Sequence, residues 1–119
     1  MKRLLISTIA ILMATTPLMA SSVRGSRIAK DTVGGYTNIS YYETLYAHED
    51  TVVTLSGDCV PGQDIDLWVY DENDNLVDKS TSYGCDEIVV FRPLWTGPFK
   101  IVVENSNHPF DTYFQLNID

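Results

Sequence analysis

Asp64-Ile65-Asp66-Leu67-Trp68-Val69-Tyr70 alternates without interruption: Ile65, Leu67 and Val69 fall on one side, Asp66, Trp68 and Tyr70 on the other. Successive side chains of an extended backbone leave on opposite faces, so this period of two, apolar on one side, is the pattern of a half-buried strand. The same period persists on both sides of the stretch. Val53 and Leu55 precede it; Ile88/Val90 against Val89/Phe91, then Phe99/Ile101/Val103 and Phe114/Leu116/Ile118, follow. No window carries the spacing of an amphipathic helix of ordinary length.

Between these runs stand residues that favour turns: His48-Glu49-Asp50, Gly57-Asp58 through Pro61-Gly62, Asp71 to Asn75, Ser80 to Gly84, Pro93 to Pro98, and Asn105 to Pro109. Strands at this spacing predict an all-β fold, an antiparallel β-sandwich of about seven to eight strands. The strands are expected near 40–46, 51–56, 64–70, 75–79, 86–92, 99–104 and 111–118, within a sandwich domain spanning 36–119. Residues 21–35 hold Gly25, Gly34 and Gly35 and little apolar content, and read as a flexible N-terminal arm or a weakly docked first strand. With 119 residues, 45% hydrophobic, the chain has room for one core.

Met1, Lys2 and Arg3 put positive charge ahead of the apolar run Leu4 to Ala14, and Pro17 breaks it before Ala20. Residues 1–20 therefore read as a secretory signal peptide, cut after Ala20 or Ser22, because a membrane-spanning helix needs about 20 apolar residues. Cys59 and Cys85 are the only cysteines, so none stands near the cleavage point to carry a lipid, and no membrane anchor is expected. Secreted or periplasmic residence follows. Cleavage leaves Arg24, Arg27, Lys30, Lys79, Arg92 and Lys100 against 16 acids, a net charge of about −10. Such a surface repels a polyanion, which excludes nucleic acid as a partner and leaves cations, neutral polymers and proteins.

The run Asp66-Leu67-Trp68-Val69-Tyr70-Asp71-Glu72-Asn73, then Asn75-Leu76-Val77, Trp95-Thr96-Gly97-Pro98-Phe99, Val102-Val103-Glu104-Asn105 and Tyr113-Phe114-Gln115-Leu116, resembles the bacterial pre-peptidase C-terminal domain family. The resemblance covers Asp64 to Asp119. It implies a jelly-roll-like β-sandwich that is secreted and non-catalytic, usually appended to extracellular hydrolases and in some members binding collagen or calcium. Two features depart from the family pattern: Asp74 stands where the hairpin commonly has Gly, and Cys59-Val60-Pro61-Gly62-Gln63 lengthens the loop after Gly57-Asp58.

If neighbouring strands alternate in direction, the strands at 64–70 and 86–92 run the same way, and Cys59 and Cys85, each just ahead of one of them, meet at one end of the sandwich. In an oxidising compartment they are expected to form a disulfide. Closing that loop should stabilise the fold by roughly 3 to 4 kcal/mol through the unfolded chain. The same alternation gathers Asp58, Asp64, Asp78, Asp86 and Asp111 at the cysteine end and Glu49, Asp50, Asp71, Glu72 and Asp74 at the other. Calcium takes 6 to 8 oxygens at about 2.3 to 2.6 Å. The cysteine-end acids are the candidate calcium rim, beside the plainer reading of solvated loop acids. Asp71 to Asn75 is not an EF-hand, since Leu76 occupies the glycine position and Ser82 that of the bidentate Glu. It reads as a hairpin turn.

His48 and His108 fall at opposite ends of strands about 7 residues long, roughly 23 Å apart at 3.3 Å per residue. No nucleophile elbow, His-Glu-x-x-His or phosphate loop occurs, so an enzyme is not expected. Trp68 and Tyr70, on the side away from Ile65, Leu67 and Val69, are the candidate ligand-binding residues; alternatively Trp68 covers a sheet edge and Trp95 plugs the sandwich end. The leading expectation is an exported binding module for an extracellular polymer or an envelope protein. Its rivals are a calcium-stabilised accessory module partnering a separately encoded secreted hydrolase, and a small secreted hydrolase.

Overall fold

The computed structural model describes residues 26–119; the predicted signal peptide lies outside the described residues. Among the described residues there are eight strands and no helix: β1 (Arg27–Val33), β2 (Thr37–Leu45), β3 (Thr51–Asp58), β4 (Asp66–Tyr70), β5 (Leu76–Ser80), β6 (Asp86–Phe91), β7 (Gly97–Asn105) and β8 (Thr112–Ile118). They form two four-stranded sheets, ordered β1-β8-β3-β6 and β2-β7-β4-β5. The antiparallel pairs β4·β5, β3·β6, β2·β7 and β1·β8 are nested one outside the other. This is the connectivity of a jelly roll, a long hairpin folded over on itself, with residues 71–75 as its tip.

Register explains why the alternation was so regular. Val53 pairs with Ile118 and Leu55 with Leu116 in the first sheet, while Leu67 pairs with Val103 and Val69 with Ile101 in the second. These inward rows face each other, and Val53, Leu55, Leu67, Val69, Ile101 and Val103 are completely buried. Each such side chain contributes about 1.5 to 3 kcal/mol relative to its exposed state. At the tip, Asp71 N–H donates to Asn75 O, Asp74 N–H to Asp71 O, and Asp74 takes the left-handed φ of 62° that Asp tolerates. The expected hairpin turn is present. A bulge follows, since Val69 pairs with Asp78 but Tyr70 with Leu76, leaving Val77 unpaired on β5.

The sandwich starts earlier than position 36. Within the stretch expected as an arm, Arg27 to Val33 pairs with β8 along its whole length, from Arg27 opposite Ile118 to Val33 opposite Thr112. The strand was hard to see because the side it turns toward β2 is largely polar. Arg27 lies 3.9 Å from Glu43 and donates to Thr44 O, and Asp31 accepts from Tyr41 Oη at 2.9 Å. Burial raises the Glu43 carboxyl above its usual range, with the Arg27 charge opposing.

Cys59 and Cys85 are disulfide-bonded with Cα atoms 6.2 Å apart, as their placement at one end required. β3 passes beneath the bridge at Gly57. A Cβ there would lie 2.7 Å from Ile65 Cδ1 and 2.9 Å from Cys85 Cβ, so only glycine fits this crossing.

Candidate functional site

The outward face of the second sheet is built in rows by its register. Asn38, Glu104 and Asp66 form one row, Ser40, Val102, Trp68 and Lys79 the next, and Tyr42, Lys100, Tyr70 and Leu76 the third. Leu67 and Val69 take the core side of β4, so Trp68 and Tyr70 leave on the outward side. They line an open concavity of about 360 Å³ together with Asn38, Ser40, Lys100, Val102 and Glu104. Both rings are held from the side. Trp68 Nε1 donates to Glu104 Oε1 at 2.9 Å, and Lys79 Nζ sits 5.2 Å from the indole centroid. Lys100 Nζ lies 5.0 Å from the Tyr70 ring and 2.9 Å from Asp74 Oδ1, so the turn carboxylate positions the cation over the phenol. The result is a pair of preoriented aromatic surfaces flanked by an amide, a hydroxyl and charges of both signs.

A second group of side chains lies at the cysteine end of the same strand. One oxygen from each of Asp64, Asp66 and Glu87 falls within 4.8 Å of the others. Glu87 belongs to β6 and points between the sheets, 3% exposed. Its Oε1 accepts from Ser80 Oγ, Ser82 N and Ser82 Oγ, tying the end of β5 to the opposite sheet; its Oε2 is buried with no hydrogen-bond partner. Asp64 Oδ1 accepts Gly84 N–H at 3.0 Å, whereas Asp66 Oδ1 is buried and unpartnered. Desolvation first, then the charges of Asp64, Glu87 and Glu104, push the Asp66 carboxyl up to about 6.

The backbone beneath both groups matches a known architecture. The crystal structure of the pre-peptidase C-terminal domain of collagenase from Bacillus anthracis superposes with a TM-score of 0.66, over 89% of this chain and 100% of that one. This is the pre-peptidase C-terminal domain fold. Sequence identity is 15%, so the frame is shared and the side chains on it are this chain's own. No family model matches the sequence. Nor does any curated protein sequence.

On this pre-peptidase C-terminal frame the expected aromatic pair, Trp68 and Tyr70, comes together on one open surface. Trp95 stacks on Phe99 with centroids 6.0 Å apart at the other end of the sandwich, 41% exposed. The five expected rim acids do not converge. Only Asp64 joins the acidic group. Asp58 and Asp86 are exposed at the ends of β3 and β6, and Asp111 accepts Gly35 N–H at 3.1 Å. Asp78 is mid-strand on β5, opposite Val69, because the strand continues to Ser80 past the bulge; its Oδ1 accepts the N–H of Lys79. Sequence reading missed the role of Glu87. The signal available was a charged residue in step with the inward positions Val89 and Phe91. His48 and His108 follow the opposite ends of the paired strands β2 and β7, as expected.

Proposed function

We propose that this domain is an exported, non-catalytic binding module that holds an extracellular polymer or an envelope protein on the outward face of its second sheet. The observation that carries the reading is the pair Trp68 and Tyr70, side by side in one concavity with each ring fixed by a neighbouring charged side chain. Rigid aromatic surfaces bind at low entropic cost, because their conformation is set before the ligand arrives. Asn38 and Ser40 along the same surface provide hydrogen bonds for orientation, in keeping with a neutral or mixed-charge ligand rather than a polyanion. The disulfide supports an oxidising compartment. The similarity to a domain of a collagenase supports a role beside polymer-degrading enzymes.

The test is retention of the oxidised protein on insoluble polysaccharide, gelatin and cell-envelope fractions, comparing the native chain with the double variant Trp68→Ala, Tyr70→Ala. The double variant is expected to lose retention on the one matrix that holds the native chain while keeping its disulfide and its sheet circular dichroism. Undiminished retention by a folded double variant would move the binding surface elsewhere.

A further inference from the structure

We propose that this chain self-associates through β6, two copies pairing that strand antiparallel across a twofold axis at Val89, so that their first sheets join into one. Four strands lie at sheet edges: β1 and β6 in the first sheet, β2 and β5 in the second. An unpaired edge is a template for another chain, and folded proteins blunt it with charged or polar side chains, bulges or proline. Three of these edges are blunted. β1 carries Lys30 and Asp31, β2 carries Asn38, Ser40 and Glu43, and β5 carries Asp78, Lys79 and the bulge at Val77. β6 has no such protection from Ile88 to Phe91. Its register against β3 has no shift, and Ile88 and Val90 are 57% and 59% exposed on the outward side.

The backbone is set for pairing at the same positions. Gly57 N–H donates to Cys85 O, and antiparallel neighbours exchange hydrogen bonds at every second residue, so Glu87, Val89 and Phe91 direct their peptide groups to β3. Asp86, Ile88 and Val90 direct theirs to the open edge, where none of the described strands pairs with them. Charge then selects both occupant and register. Positions 86, 88, 90 and 92 follow one alternation. Centred on Val89, two copies set Ile88 against the second copy's Val90 and Asp86 against its Arg92, twice over. Centring on Ile88 would put Asp86 opposite Val90, and centring on Val90 would put Ile88 opposite Arg92. Only the Val89 axis matches apolar with apolar and acid with base. Arg92 is available for this, because its present bond to Asp50 joins two largely exposed side chains and holds little. Since outward side chains meet outward ones, the axis is normal to the sheet and the two second sheets face the same way. The pair would then present two Trp68–Tyr70 surfaces to one polymer, a consequence that rests on the binding reading above, as the pairing itself does not.

The experiment is sedimentation velocity of the oxidised chain from about 5 to 500 µM, because a pairing of one strand per copy is smaller than a standard interface and associates weakly. The chain is expected to be monomeric at the low micromolar concentrations of a melt and to approach the mass of two chains at the upper end. Ile88→Lys should weaken association at least about tenfold with native circular dichroism, and Val90→Lys replaces it if the first does not fold. Asp86→Arg and Arg92→Asp should each weaken it roughly threefold or more and together restore it. Ile28→Lys, at the opposite edge of the same sheet, should leave it unchanged. The mass of one chain at every concentration would overturn the proposal and leave the β6 edge to a strand of another protein. Association that survives Ile88→Lys, is lost in Ile28→Lys or is not restored by the charge exchange would also overturn it.

Discussion

Asp66 and Asp71 stand at opposite ends of β4 and its turn, and their surroundings treat the same functional group in opposite ways. Asp71 receives Asn73 N–H and Asn75 N–H on one oxygen and the Asn75 side-chain amide on the other. The hydrogen bond from the Asn75 backbone, foremost among these donors, holds its carboxyl below the usual range. Asp66 has an oxygen with no donor and three acids near it, and is pushed up to about 6. Burial alone does not decide what a carboxylate does; the supply of donors does. One end of the strand uses a carboxylate to close a turn. The other holds carboxylates whose charge is unanswered from within the described residues.

The largest disturbance of this contrast is removal of the tie at the Asp66 end. Cys59→Ser with Cys85→Ser should lower stability by roughly 3 to 4 kcal/mol in denaturant melts. Hydrogen exchange should quicken over residues 81–87 while the Asp71 turn stays protected. Next in size, Asp71→Ala removes the acceptor for three donors and should cost several degrees in melting temperature. A carboxyl lowered by folding contributes stability above its unfolded value that is lost as pH falls through the folded one, so the deficit of this variant should shrink toward acid pH.

Asp66→Asn should act with the opposite sign. The native fold favours the protonated form of Asp66, so its stability is fully present below the ordinary carboxylate value of about 3.9 and is lost as pH rises through about 6. In chelator, the variant should therefore be the more stable protein at pH 7.5, by on the order of 1 kcal/mol after allowing for solvent screening of a half-buried group. The two melting curves should converge near pH 4. A variant less stable at every pH would show that Asp66 makes contacts beyond its charge. The smallest effect belongs to Arg92→Gln. The Arg92–Asp50 pair is 2.9 Å long, but both side chains are largely exposed, and no shift is expected in melts at physiological salt.

The sequence was informative wherever a strand has one apolar and one polar face. β4, β7 and β8 announce themselves through Leu67/Val69, Phe99/Ile101/Val103 and Phe114/Leu116/Ile118, and the outward position of Trp68 and Tyr70 follows from the same alternation. It was opaque where inward positions are polar. β1 turns Arg27, Ala29 and Asp31 toward a neighbour that answers with Glu43 and Tyr41, leaving no apolar period to detect. β6 reverses the usual signal: Ile88 and Val90 are outward and more than half exposed, while Glu87 is inside. Which of its two faces met the core was undecidable from its own residues. The acidic group depends on that choice, and its third member was invisible for the same reason.

The nested pairing has a consequence for how the protein is made. Arg27 opens β1 and its partner Ile118 closes β8, so the earliest of the described strands to be synthesised is the last to be paired. Pairings this distant along the chain form late, because the loop between them must be closed first. Through that interval β1 waits with an unpaired edge, the condition in which an apolar strand invites association with other nascent chains. Its Arg27, Lys30 and Asp31 suit it to waiting in water. The polarity that hides this strand in the sequence also protects it until β8 arrives.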